Sequence, residues 1–253
     1  MELPDQILNK SVAAGVAKTQ KTLEAKLILG FIGGAMISLG YLAYIRIAAG
    51  FTGSLSGLGS FLGACVFPTG LIVILLAGGE LVTGNMMAVS AALIDGKIRV
   101  TGWLLNLLTI TLANAAGALF AAYVFGHVVG LTAGEIYGNE VALLADAKLN
   151  ASALQCFFSG IGCNWFVGLA LWLCYGAKDG ITKIAGIWFP VMTFVIIGFQ
   201  HSVANIFLLA AALFEGHGTW QQFLRNFIPV YIGNLVGGFV FVAFFYHRVY
   251  RHT

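Results

Sequence analysis

Gly78-Gly79-Glu80-Leu81-Val82-Thr83-Gly84-Asn85 and Gly198-Phe199-Gln200-His201-Ser202-Val203-Ala204-Asn205 are the two stretches on which the fold turns. Each interrupts an apolar unit too long for a single helical crossing. The first unit runs from about Gly57 to Ile94, roughly 57 Å if it were continuous at ~1.5 Å per residue. A shift of 120 positions carries the first stretch onto the second without a gap: Gly78 onto Gly198, Glu80 onto Gln200, Asn85 onto Asn205. The register persists downstream, pairing Asn106 with Asn226, Asn114 with Asn234 and Gly117 with Gly237. Six of the ten asparagines enter these pairs, and asparagine is costly among lipid tails, so the recurrence marks a repeat.

Composition says where the repeat resides. The chain is 59% hydrophobic and 9% charged, with a mean hydropathy of +0.91. A soluble domain carries roughly 25% charged residues, so this surface could not be wetted by water. Runs without Asp, Glu, Lys or Arg extend over Leu27–Ile45, Ile47–Gly79, Val100–Gly134, Leu149–Ala177, Ile184–Phe214 and Asn226–His247. About 20 apolar residues span a bilayer, which predicts six membrane-crossing units. The expected layout is an N-terminal segment 1–26 holding a short interfacial helix, a six-helix membrane domain 27–247, and a tail 248–253. Ile7, Leu8, Val12 and Val16 would form the apolar face of that first helix. No cleavable signal peptide is expected, because Met1–Lys26 is polar and mixed in charge. Ten of the 13 Lys and Arg fall on one side of the predicted membrane, leaving Arg46, Lys148 and Arg225 on the other. The positive-inside rule then places both termini in the cytoplasm.

Three spans per half is an odd number, so the second half must run upside down relative to the first. The fold class is therefore all-α, an inverted 3+3 repeat with broken second and fifth helices. Such repeats are typical of transport proteins, with the functional site near the midplane where the halves meet. Non-helical backbone at that depth is tolerated only inside protein or along a cavity, so the paired breaks mark the expected substrate path.

His201 is the leading candidate in that path, a titratable ring in a run of 31 residues without charge. It would attract an anion as imidazolium or hand a proton to a weak-acid anion; the plainer reading is a neutral, hydrogen-bonded core histidine. Thr83 occupies the partner break, as a donor to an oxyanion or as a cap of the second half-helix. Glu80 and Gln200, with Asn85 and Asn205, are read as ties between the interrupted backbone and neighbouring helices. Asn164 and Asn234 are further polar groups inside spans, and Asn234 is placed to bridge either to His201 or to a loop. Lys148 is either a snorkelling anchor or an electrostatic lure at an anion path. Phe67, Leu71 and Phe194 are candidate apolar constrictions, which gate by dewetting, or lipid contacts. The four cysteines lie in apolar runs without zinc-finger spacing and read as buried thiols. No metal site and no cofactor is expected: there is no His-x-x-x-His or Glu-x-x-His pairing. There is no Walker A loop for ATP and no Gly-x-Ser-x-Gly context around Ser159-Gly160. The basic residues sit at span ends, a membrane pattern rather than a nucleic-acid footprint.

Taken together, Phe67-Pro68-Thr69-Gly70-Leu71, Gly79 to Asn85, Gly162-Cys163-Asn164-Trp165, Gly198 to Asn205 and Pro229-Val230-Tyr231-Ile232-Gly233-Asn234 resemble the formate/nitrite transporter family over nearly the whole chain. The resemblance implies a homopentamer of aquaporin-like protomers in a bacterial or archaeal cytoplasmic membrane, each with its own pore. It implies passage of small monovalent anions of weak acids, formate first, with nitrite, hydrosulfide, acetate and lactate as relatives, and no enzymatic activity. By the same resemblance His201 is the central pore histidine and Thr83 lies between two half-helices. Phe67 and Leu71 match a cytoplasmic constriction, Phe194 a periplasmic one, Lys148 a vestibule lysine, and Asn164 and Asn234 polar residues near the pore. Many members carry Glu where this chain has Gln200, and a neutral neighbour stabilises an imidazolium less than a carboxylate does. A neutral-solute pore would carry two Asn-Pro-Ala motifs, and the chain has neither. A membrane scaffold using the histidine structurally is the remaining alternative.

Overall fold

The computed structural model describes residues 1–251, so the last two residues of the expected 248–253 tail lie outside the described residues. Its helices fall into two sets of five. The first set is α1 (Pro4–Gln20), α2 (Leu23–Ala48), α3 (Gly53–Gly78), α4 (Val82–Ile94) and α5 (Val100–Val128). The second is α6 (Gly134–Leu149), α7 (Ala153–Gly176), α8 (Gly180–Ile197), α9 (Ser202–Phe214) and α10 (Trp220–Tyr250). Helices α2, α3, α5, α7, α8 and α10 are long and apolar enough to cross a membrane, whereas α4 and α9 are short apolar half-helices. The protein is thus a multi-pass membrane protein with six spans, the second and fifth broken.

Each break has a local cause. Gly78 leaves α3 at φ +101° and Gly198 leaves α8 at φ +88°, left-handed conformations that glycine adopts without a Cβ penalty. The chain then runs extended through Leu81 and His201, which are the N-caps of α4 and α9. Before the first break, α3 bends past Pro68 and widens into a π turn over Ile74–Gly78. Proline removes the helix ladder bond there and also at Pro190 within α8.

The repeat reaches further than one shift reveals. Helices α1 and α2 map onto α6 and α7 at a shift of 130, and the register changes to 120 from the second span onward. Thr22 and Ser152 are the matched caps, accepting from the Ala25 and Gln155 amides. Small residues let the first and third spans of each half touch backbone to backbone. A methyl on Gly34 would overlap the Asn114 carbonyl, and one on Gly117 the Phe31 carbonyl. In the other half, Gly233 meets Phe157 and Gly237 meets Ile161 in the same way. Thr111 Oγ1 lies 2.8 Å from Tyr231 Oη, its own image under the shift of 120, so this pair marks the pseudo-twofold axis.

The structure corrects one expectation about α1. Its buried face, Ile7, Leu8, Ser11, Val12 and Gly15, is docked on protein rather than turned to lipid. Gly15 lies against the Ala88 carbonyl of α4, and Ile7 against Gly176 of α7. The two chain ends share one face of the molecule, where the Arg251 guanidinium donates to Asn9 Oδ1 at 2.8 Å and to Asp95 Oδ2 at 2.8 Å.

Candidate functional site

The two breaks are built alike by asparagine side chains. Asn114 Oδ1 accepts from the Val82 amide at 2.8 Å, while its Nδ2 donates to the Glu80 carbonyl (2.8 Å) and the Gly30 carbonyl (2.7 Å). Asn234 repeats this with the Ser202 amide (2.8 Å) and the Gln200 and Gly160 carbonyls (3.0 and 2.8 Å). One side chain thus satisfies backbone groups on both sides of each gap, which would otherwise be orphaned in a medium without water. A second pair braces the side chains. Asn85 Nδ2 donates to Glu80 Oε2 (3.0 Å) and Asn106 Oδ1 (2.9 Å), and Asn205 Nδ2 to Gln200 Oε1 (2.8 Å) and Asn226 Oδ1 (2.9 Å).

The two breaks meet at a hydrogen bond. Thr83 Oγ1, in the first turn of α4, lies 2.9 Å from His201 Nε2, at the cap of α9. His201 Nδ1 accepts from the Ala204 amide at 3.2 Å, which requires a lone pair on that nitrogen. The ring is therefore the neutral tautomer with its hydrogen on Nε2, donating to Thr83. Both side chains are buried, His201 at 2% exposure and Thr83 at 0%. Asn164 ties the two sides, with Nδ2 donating to the Thr83 carbonyl (3.1 Å) and the Asn234 carbonyl (2.7 Å), while its Oδ1 has no partner.

A cavity of about 220 Å³ opens above this centre on the face opposite the chain termini. Its wall includes Tyr41, Tyr44, Phe67, Phe194 and Lys148, with His201 at the inner end. Phe194 stacks on His201 with ring centroids 6.2 Å apart, and Phe67 meets Phe194 edge-on at 5.9 Å. This contact corrects the expectation that Phe67 and Phe194 belong to constrictions on opposite sides of the histidine: they form one apolar neck. Leu71, one turn deeper, is buried and lies outside the cavity wall. Lys148 stands on the helical face of α6 that also carries Leu144 and half-buried Glu140. Burial pushes its ammonium down to about 8. Burial pushes the Glu140 carboxyl up from its ordinary range.

Asn85 is hydrogen-bonded to Glu80 at the first break, and Asn205 to Gln200 at the second. Asn234 serves the loop and not His201, since its three hydrogen bonds go to backbone. Other participants were missed. Asn114 carried the same repeat signal as Asn234 and is its structural equal. Lys18, whose Nζ donates to Glu80 Oε2 at 2.7 Å, was legible only through the shift of 130 that pairs it with Lys148. Tyr41 gave no sequence signal at all, one aromatic in an apolar span; it lines the cavity and its ring packs on Phe67 at 5.5 Å. Among the described residues no group of three or more His, Cys, Asp or Glu is arranged to hold a metal ion.

Known proteins resemble this chain in sequence and in fold. The formate/nitrite transporter family model matches residues 5–248. A formate channel of Bacillus thuringiensis, BtFdhC, is 50% identical over 248 residues, covering 98% of this chain and 95% of the relative. A solved structure described as an FNT family ion channel superposes with a TM-score of 0.89 at 27% identity, covering 96% of this chain and 98% of the other. A pentameric formate channel with formate bound superposes at 0.78 and 25% identity, covering 90% and 98%. With the inverted repeat, the paired breaks and these matches in agreement, the chain belongs to the formate/nitrite transporter family.

Proposed function

We propose that this protein conducts small monovalent weak-acid anions, formate foremost, through a pore in each protomer of a homopentamer, and that it catalyses no covalent reaction. The observation that carries the reading is the Thr83–His201 hydrogen bond at the inner end of a cavity that also holds Lys148. Helices α4 and α9 start at the two breaks, so the positive dipole ends at their N-termini converge on that centre. Lys148 draws the anion into the cavity, and the Phe67–Phe194 neck strips its water. A bare anion in such a neck carries a large desolvation cost, which a proton removes. His201 meets the anion with its Nε2–H. For that hydrogen to leave as a proton, Nδ1 must gain one and release the Ala204 amide, so proton transfer is coupled to loosening of the α9 cap.

In this reading residues 1–26 lie on the cytoplasmic side, 27–247 form the channel and 248–253 a cytoplasmic tail. The excess of lysine and arginine at that face supports this orientation in a cytoplasmic membrane. The reading is supported by the formate channels among the relatives. Stopped-flow uptake into proteoliposomes tests it. Saturable entry of formate, exceeding that of nitrite and hydrosulfide, is expected, with a stimulation at low pH that disappears in His201→Asn. Absence of uptake of all three anions would overturn the reading, and an unchanged pH profile in His201→Asn would remove the histidine from it.

A further inference from the structure

The two halves treat matched lysines differently. In the first half Lys18 lies beside the break: its carbonyl accepts from Asn106 Nδ2 at 3.1 Å, and its Nζ is held by Glu80 Oε2 at 2.7 Å. Lys21 stands 4.0 Å from the other oxygen of the same carboxylate, and Glu80 itself is 2% exposed. That lysine is locked into a buried ion pair. In the second half Lys148 occupies the mirrored position, its carbonyl accepting from Asn226 Nδ2 at 3.0 Å. The mirror of Glu80 is Gln200, which lines the same cavity as Lys148, and the mirror of Lys21 is Ala151. The Gln200 amide oxygen is doubly engaged, Oε1 accepting from Asn205 and Asn226, both at 2.8 Å, and Nε2 donates to Cys156 Sγ at 3.7 Å. Among the described residues no carboxylate pairs with the Lys148 ammonium, which shares the cavity with His201.

We propose that Gln200 is a positioning residue for anion binding: its neutrality leaves Lys148 unpaired, so that the ammonium and the cavity form an entry subsite for a small carboxylate or similar monovalent anion. The repeat would otherwise have built an internal ion pair here, as it did with Lys18 and Glu80, and an internal carboxylate competes with any incoming anion for the same charge. The single change from carboxylate to amide thus separates a structural lysine from a recruiting one. This inference rests on the anion-channel reading above and names the residue that tunes its entrance.

Gln200→Glu is the decisive variant, and the first half shows that the network accepts it. Glu80 takes the Asn85 bond in that position, so a glutamate at 200 keeps the acceptor bonds from Asn205 and Asn226 and presents its second oxygen to Lys148. Two measurements are made on the full-length protein. Acetylation of individual lysines by acetic anhydride, read by peptide mass spectrometry, is expected to slow several-fold at Lys148 in Gln200→Glu and to quicken at Lys18 in Glu80→Gln. Formate uptake by Gln200→Glu is expected to show KM raised about tenfold with the maximal rate nearly unchanged, the loss of one charge-assisted contact. Lys148→Gln should raise KM equally, and the double variant should be no worse than either single one. Unchanged Lys148 acetylation in Gln200→Glu overturns the pairing. Slowed acetylation with unchanged KM, or additive losses in the double variant, overturns the entry subsite. Wild-type vesicles that take up no formate, nitrite or hydrosulfide would sink the channel reading instead, a result the acetylation comparison does not depend on.

Discussion

At the contact between Thr83 Oγ1 and His201 Nε2 each half of the repeat contributes one polar group to a buried centre. The neutral ring offers a hydrogen outward and a lone pair to its own helix, so an approaching anion competes with Thr83 for a single donor. Thr83→Val keeps the shape but removes that competitor. The half-saturating formate concentration in proteoliposomes is expected to fall several-fold, since a buried donor left without its acceptor costs roughly 1–3 kcal/mol until the anion takes its place. Lys148 makes a different prediction. With its ammonium depressed to about 8, it is charged below that pH and neutral above it, so anion recruitment weakens as the pH on that face rises through about 8. The titratable groups around it are His201, Cys156 and Cys163, with Tyr41 and Tyr44 lining the same cavity and Glu140 two turns along its own helix. Lys148→Arg, which stays protonated, should flatten the alkaline limb of the initial uptake rate; an alkaline limb retained in that variant would assign it to another group.

Helix breaks are an element-scale device, and their cost is met by asparagines on the third span of each half. Asn114→Ala strands the Val82 amide and two carbonyls, so the breaks predict a loss of about 2–3 kcal/mol, read as a lower thermal midpoint in detergent. Asn234→Ala should lose a similar amount because its bonds are the same in kind and number. Gly34→Ala should cost about 1–3 kcal/mol, because α2 and α5 must separate to admit one methyl. These elements were legible early: a 3.6-residue helix cannot continue through Gly-Gly-Glu or Gly-Phe-Gln in lipid without outside partners, and the asparagines recurred at the same shift as the gaps. The docking of α1 was not legible, because an apolar face looks the same whether lipid or protein covers it.

At the scale of the molecule the inverted halves are clasped at both faces. His247 of α10 pairs with Asp95 at the end of α4, 2.9 Å apart, and Arg251 reinforces it with Nε at 2.7 Å. On the opposite face His127 of α5 pairs with Glu215 at the end of α9, also at 2.9 Å, and these two pairs map onto one another at the shift of 120. Asp95 is 3% exposed and Glu215 23% in their side chains, which separates their worth. Asp95→Ala, stranding two basic groups against a buried site, should cost about 3 kcal/mol. Glu215→Ala should cost under about 1 kcal/mol, because water screens that pair. Unfolding in denaturant would reverse the assignment if the two losses were equal. The amino-acid sequence alone determined that this chain spans a membrane six times, that its halves are inverted copies and that two breaks lie at the midplane. Those properties follow from hydropathy and from a register that one-dimensional spacing preserves. Only the tertiary structure decided that Phe67 and Phe194 form one neck, that Asn234 serves backbone rather than His201, and that Lys18 is paired while Lys148 is not. Each depends on which side chains cross between helices far apart in the chain, and a carboxylate or an amide at residue 200 has no meaning until the lysine it faces is known.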